Sequence, residues 1–257
     1  MGDIPRVGEM SALLTALVWA VAVMLFRKSG EKVHPIALNL FKNGLALILI
    51  LSTMWLFGQT LSRRASLGDY YLLLLSGAIG LGIGDTLLFK SLNQIGAGLN
   101  AIVACLYSPF IIGLSMVWLG ERLTALQIVG AAIVVLAVLS TTRKGALGNI
   151  TRKDFLWGTL WGVLATACVA VAAVMIKPVL NRSPLLWATQ IRILGAIPTL
   201  GIIIAMHPLR RRVISSLGSP GSWGYTVGGS FAGQYGAMLL WLAGMKYAQA
   251  SVASALN

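Results

Sequence analysis

Acidic side chains are scarce in this sequence, with seven Asp and Glu against twenty Lys and Arg. Charged residues of both signs make up 11% of the chain, whereas a soluble domain carries about 25%. That shortage excludes an ordinary soluble fold. Cysteine is nearly absent: Cys105 and Cys168 fall in separate apolar runs, where they act as small hydrophobes and define neither a disulfide framework nor a metal site. There are only two histidines, His34 and His207, both at the ends of apolar runs. No HExxH pair, cluster of metal-binding acids or Walker-type phosphate loop is present, so no catalytic constellation supports a membrane enzyme or ATP-driven transport. A basic groove with interleaved aromatics is missing too. The net charge of +13 sits in short segments between apolar runs, which suits lipid headgroups and membrane topology and not nucleic acid. The amino terminus makes a poor secretory signal, because Asp3 and Glu9 offset Arg6 and the run from Met10 to Phe26 is long for one. An uncleaved first helix is expected.

What the chain has in abundance is long apolar runs. Eight complete spans are expected, each near the roughly 17–25 residues a crossing helix needs. They cover Met10–Phe26, Ile36–Phe57, Tyr70–Leu92, Gly98–Leu119, Ala125–Thr141, Phe155–Ile176, Leu185–Met206 and Trp223–Met245, and a ninth begins near Ser251. Connections are short and rich in Gly and Pro, so no linker separates soluble domains. Gly80/Gly84, Gly158/Gly162, Gly224/Gly228 and Gly229/Gly233 are spaced to let helix backbones approach.

The region from Gly77 to Glu121 organises the rest. Two apolar runs meet at a tight polar turn, Asn93-Gln94-Ile95-Gly96; the first holds the lone carboxylate Asp85, and the second is broken at Tyr107-Ser108-Pro109. The order of spans and turns then repeats. Val23-Met24-Leu25 matches Val174-Met175-Ile176 at an offset of 151, Lys42 falls opposite Arg192 at 150, and Gly80 falls opposite Gly233 at 153. The first copy has an odd number of helices, so the second enters the membrane upside down. Inverted repeats of this kind mark secondary transporters, with the site near midplane between the halves.

With Gly84-Asp85-Thr86, Ile95-Gly96-Ala97-Gly98, Tyr107-Ser108-Pro109, Leu119-Gly120-Glu121-Arg122-Leu123-Thr124 and the later echo Met245-Lys246-Tyr247-Ala248-Gln249-Ala250-Ser251, the chain resembles the EamA family of the drug/metabolite transporter superfamily. The resemblance covers nearly the whole chain. It implies an all-α polytopic membrane protein with an inverted repeat of five-helix units, a ten-helix fold that exports small metabolites through a central cavity. On that reading residues 1–142 form the first repeat and 153–257 the second, whose C-terminal end is missing, as expected of a fragment or of a half-built repeat that a partner chain completes.

Charges inside the membrane supply the candidate site. Lys42 lies roughly 9 Å into its helix and Asp85 roughly 10 Å from the end of the next, at the same level, so an ion pair between them is expected. Arg192 lies roughly 11 Å into its own span. Met238, the counterpart of Asp85, cannot neutralise it, which leaves the guanidinium to grip a carboxylate or phosphate or to bond backbone or snorkel. Asn39, Asn43, Gln190, Gln234, Tyr107 and Tyr235 are candidates to line a cavity, with bonding between helices as their alternative role. Pro109 frees a carbonyl in mid-helix. Lys90, Lys177 and Lys246, near span ends, are expected to snorkel towards headgroups, and Glu121-Arg122 to cap or pair locally.

The expected partners are a small-molecule substrate and the lipid bilayer, with no nucleic acid, no cofactor and no metal; a homodimer stays open. The expected function is export of an amino acid or organic anion by alternating access, in the cell inner (plasma) membrane. A flippase for a lipid-linked sugar or amphipathic drug is the alternative. Let side A be the amino-terminal side and side B its opposite. Arg27, Lys28, Lys32, Arg143, Lys144, Arg152, Lys153, Arg210, Arg211 and Arg212 give side B the positive excess, which places it in the cytoplasm. The family resemblance implies cytoplasmic termini instead. Lys42 and burial act on the Asp85 proton in opposite senses, so the sequence leaves the coupling mode open.

Overall fold

The computed structural model describes residues 6–120, 124–143, 151–219 and 221–256, and all regular structure among them is helical. Glu121 and Arg122 lie outside the described residues, as does the Gly145–Gly148 turn.

Helix α1 (Val7–Gly30) ends with Arg27 and Lys28 in its last turn, where cations favour the carbonyl end of the dipole. Helix α2 (Pro35–Leu56) opens with proline at its first position, and His34 Nδ1 accepts the Ile36 amide as a cap. Helix α3 (Leu67–Ser76) is capped by Ser66. It passes without a break into a π-helical stretch, Gly77–Gly84, and then into α4 (Asp85–Ala104). Gly96, at φ 76° and ψ 174°, folds α4 back on itself, so the polar turn sits where the sequence places it. Only glycine adopts that conformation without strain.

Helix α5 (Tyr107–Leu114) runs into a second π turn, Ser115–Leu119, which Gly120 ends at φ 66°. The break before α5 differs slightly from expectation. It falls at Cys105 and Leu106, and Pro109 lies inside the new helix. Proline clashes with the carbonyl four residues earlier, so the discontinuity appears at Cys105 and not at the ring itself. Helix α6 (Ala125–Arg143) follows. Helix α7 (Arg152–Arg182) is 31 residues long and is capped by Thr151, whose hydroxyl accepts the Asp154 amide. Then come α8 (Leu185–Met206), the short α9 (Arg210–Ser215), α10 (Trp223–Ser230), a π stretch at Phe231–Ala237, α11 (Met238–Tyr247) and α12 (Ala250–Leu256).

Among the described residues, five helical segments are long and apolar enough to cross a membrane on their own: Val7–Gly30, Pro35–Leu56, Leu67–Ala104, Arg152–Arg182 and Leu185–Met206. The third, at 38 residues, is a hairpin of spans folded at Gly96. Trp223–Tyr247 reaches spanning length only when its π stretch is counted with α10 and α11.

The internal repeat holds down to single contacts. Helices α2 and α8 are each 22 residues long and start 150 residues apart. The π stretches Gly77–Gly84 and Phe231–Ala237 overlap at the offset of 153 and end at matching positions. Asn93 Nδ2 donates to Gly30 O at 3.1 Å, and its counterpart Lys246 Nζ donates to Ser183 O at 2.6 Å.

Helix α7 runs through the middle and presents Ala170, Ala172, Ala173 and Val174, all fully buried. In lipid the drive to associate is packing, and small side chains let backbones close in. A methyl at Gly80 would meet Ala172, one at Gly162 would meet Ser91, and one at Gly233 would meet Phe26. Three of the four expected glycine pairs are therefore packing seams. Gly224/Gly228 is not: Gly224 faces open space and Gly228 only brushes Leu25. The closest approach joins Gly77 to the Arg192 backbone and Gly195 to the Leu74 backbone, where α8 crosses the start of the π stretch. Leu17, Trp55, Val117 and Ile133 stay exposed on the outside, where an apolar surface suits lipid.

Candidate functional site

Lys42 on α2 and Asp85 at the head of α4 meet as their depths predict, with Nζ 2.5 Å from Oδ2. Lys42 is fully buried and Asp85 is 6% exposed. Two charges in this setting are tolerable only if every donor and lone pair finds a partner. The ammonium therefore also donates to Gln234 Oε1 at 2.6 Å, across the divide between the repeats. Gln234 Nε2 donates to Asn43 Oδ1 at 3.0 Å, and Asn43 Nδ2 donates to Asn39 Oδ1 at 2.9 Å. Asn39 Nδ2 in turn reaches the Leu81 and Gly82 carbonyls at 2.8 and 3.0 Å and the Thr86 hydroxyl at 2.9 Å. Those carbonyls belong to the π stretch, whose wide turn presents backbone oxygens to side-chain donors. The result is one continuous polar chain from the first repeat to the second.

Arg192 on α8 has the matching place in the other half. It is 1% exposed, yet it makes no ion pair among the described residues. Its Nε donates to Ser76 Oγ at 3.1 Å, its Nη1 lies 3.8 Å from Met238 Sδ, and its guanidinium carbon sits 5.2 Å from the centre of the Trp241 ring. Met238 occupies the position at which the first repeat has Asp85. The repeat thus preserves the contact and discards the counter-charge. Trp241 Nε1 donates to Tyr107 OH at 2.9 Å, which ties α5 to the same cluster.

Lys42, Asp85, Asn43 and Gln234 are thus brought together, and Tyr107 joins Arg192 through Trp241. Gln190 does not join them. Its Nε2 points to Leu47 O on α2 at 3.4 Å, and its Oε1 has no hydrogen-bond partner among the described residues. Tyr235 bonds Thr53 at 2.8 Å and ties α2 to the second π stretch. The lysines near span ends behave differently from expectation. Lys177 is 8% exposed and donates to the Met245 and Ala248 carbonyls at the frayed end of α11. Lys246 takes the Ser183 carbonyl, and Lys90 lies 5.2 Å over the Trp161 ring. Unpaired carbonyls at helix ends are nearer than headgroups and equally in need of a donor. Sequence reasoning missed Ser76 and Trp241; the signal for Trp241 was its place three residues after Met238, on the same face of α11.

The polar chain and the guanidinium lie buried where the halves meet. Side A is held by Arg182 bonded to Asp69, by Trp187 Nε1 on Leu61 O at 3.0 Å and by Tyr70 against the Trp187 ring. Side B is held by Ser29 with Thr226 at 2.6 Å and by the His34 amide on Ser216 Oγ at 3.0 Å. No group of three or more His, Cys, Asp or Glu that could hold a metal occurs among the described residues.

Comparison with known proteins follows the same division. A sequence model of the EamA-like transporter family matches residues 6–143 and again 156–257. An uncharacterised transporter of Archaeoglobus fulgidus is 24% identical over 206 residues, which is 80% of this chain and 68% of that protein. A protein of Streptantibioticus cattleyicolor named as a probable terminal-alkyne amino-acid exporter is 26% identical over 231 residues, covering 84% of this chain and 74% of its own length. One solved crystal structure shares the fold with a TM-score of 0.66 at 18% identity, over 94% of this chain and 84% of that one.

Proposed function

Since the chain belongs to the EamA-like transporter family, we propose that it exports a small solute bearing a carboxylate, an amino acid or organic anion, across the plasma membrane by alternating access. One observation carries this reading: the buried guanidinium of Arg192 has hydrogen-bond and aromatic neighbours but no ion pair among the described residues, and Asp85, the acid within electrostatic reach, is already held by Lys42. A buried cation left in that condition favours an anion strongly, and guanidinium suits a carboxylate through two parallel hydrogen bonds. Trp241 covers the other face of the site, so the solute's apolar part would lie near Tyr107 and Trp241. The relative named as an amino-acid exporter agrees with a carboxylate.

Movement follows from the bridge between the repeats. Lys42 holds Asp85 within its own half and Gln234 in the other. Rocking one half away breaks the bond to Gln234 but leaves the ion pair whole, so the lysine never stands uncompensated while the site opens. Bistable packing of this sort turns small shifts into discrete states.

Transport by purified protein in liposomes, against a panel of amino acids, organic anions and cations, tests the reading. Arg192→Gln should abolish exchange of the carboxylates while the folded protein persists, because the change removes a buried charge and creates none. Unchanged carboxylate transport in that variant, or transport of cations only, would remove Arg192 from the site.

A further inference from the structure

A second place in the molecule gathers positive charge around open space. Where the α1–α2 connection meets the α8–α9 connection on side B, a cavity of about 430 Å³ is lined by Lys32, His34, Asn93, His207, Arg212 and Ser216, among others. It lies at the membrane surface, far from the midplane cluster. His34 and His207 stand edge to face with ring centres 5.4 Å apart.

The hydrogen bonds fix the tautomer of these two lining rings. His34 Nδ1 accepts the Ile36 amide at 3.3 Å, and His207 Nδ1 accepts the Leu209 amide at 3.2 Å. With both Nδ1 atoms used as acceptors, the ring proton of each neutral imidazole resides on Nε2. Both rings therefore offer donors. Arg212 is exposed, and its guanidinium makes no hydrogen bond or ion pair among the described residues. Glu31 is the one carboxylate at the rim, and Lys28 already holds it at 3.4 Å. Beside the apolar Val33, Pro35, Leu209 and Val213, the polar part of the lining thus carries cations and donors with its single acid occupied.

Its surroundings match a membrane surface. Helix α9 begins with three arginines, and the neighbouring Leu209 and Ile214 are 57% and 54% exposed. Basic side chains interleaved with outward apolar ones suit a segment resting at headgroup depth. We infer that this cavity binds a phosphate group, gripped by Arg212 with His34 and His207 as donors, supplied either by an anionic phospholipid or by a soluble phosphate.

The test uses the purified full chain, stripped of lipid in detergent. Native mass spectrometry follows binding of phosphatidylglycerol against phosphatidylcholine, and calorimetry follows inorganic phosphate. Each is repeated on Arg212→Gln/His207→Gln and on Arg211→Gln, a neighbour that does not line the cavity. Preference for phosphatidylglycerol that weakens about tenfold in the double variant but survives Arg211→Gln assigns the site to a headgroup. Binding of inorganic phosphate with the same dependence and no lipid preference assigns it to a soluble ligand. If the double variant binds both probes as wild type does, or Arg211→Gln loses as much, the inference is overturned.

Discussion

Lys42 and Asp85 show what a single removed partner does in a dry interior. Asp85→Asn should destabilise the protein by about 3–5 kcal/mol, because the ammonium stays buried without its charge partner. Replacing both, as Lys42→Met/Asp85→Leu, should recover most of that loss while transport fails; thermal unfolding in detergent distinguishes the two variants. At the symmetry mate the opposite change is informative. Met238→Asp restores the missing counter-charge beside Arg192 and should lower carboxylate transport at least tenfold without loss of stability, as counterflow in liposomes would reveal. The ion pair was legible in the sequence because depth along two helices is simple arithmetic. Ser76 was not: a serine in an apolar run carries no sign of which neighbour it will serve. The direction of Gln190 was not legible either: a two-residue step along α8 turns it away from Arg192 towards α2.

Among the elements, α8 crosses α3 and the π stretch so closely that glycine hydrogens touch backbone. Gly77→Ala or Gly195→Ala sets a methyl against the opposing main chain and should cost roughly 1–3 kcal/mol or more through overpacking. Gly224→Ala, in open space, should leave thermal stability unchanged. The two glycines escaped sequence reading because they lie on different helices, and a GxxxG search sees only one helix at a time. The connection between α1 and α2 adds a dependence on pH. Burial, His207 and Lys90 together hold the His34 pKa below its ordinary 6.5. The folded protein accordingly binds fewer protons than the unfolded chain below that value, so stability is full above it and declines as pH falls. A melting temperature that drops between about pH 7 and pH 5 in phosphate-free buffer, and drops less in His34→Gln, is the expected result. Lys90 takes part in this from α4, across the side B surface.

For the whole molecule, the order of helices, the fold at Gly96 and the correspondence between the two halves were readable from apolar length, glycine and the matching offsets. What the sequence withheld was the ties between halves, because they join residues more than a hundred positions apart. Arg182 with Asp69 is one such tie, and nothing local in either segment announces it. Asp69→Asn should loosen side A, so that a thiol placed at Leu61 reacts several-fold faster with a water-soluble maleimide. The π stretches carry a further meaning. Each holds a wider turn than an α-helix has, and each lies just upstream of Asp85 or its mate Met238. Successive residues on an α-helix are separated by about 100°. Deleting one amino acid from Gly77–Gly84 removes about that rotation, and winding the coil back to α pitch restores most of it, so Asp85 stays in phase with Lys42. The wide turn itself disappears, and the Leu81 and Gly82 carbonyls return to the helix ladder out of reach of Asn39. The polar chain thus rests on one surplus residue in the coil, a kind of code that no substitution table records.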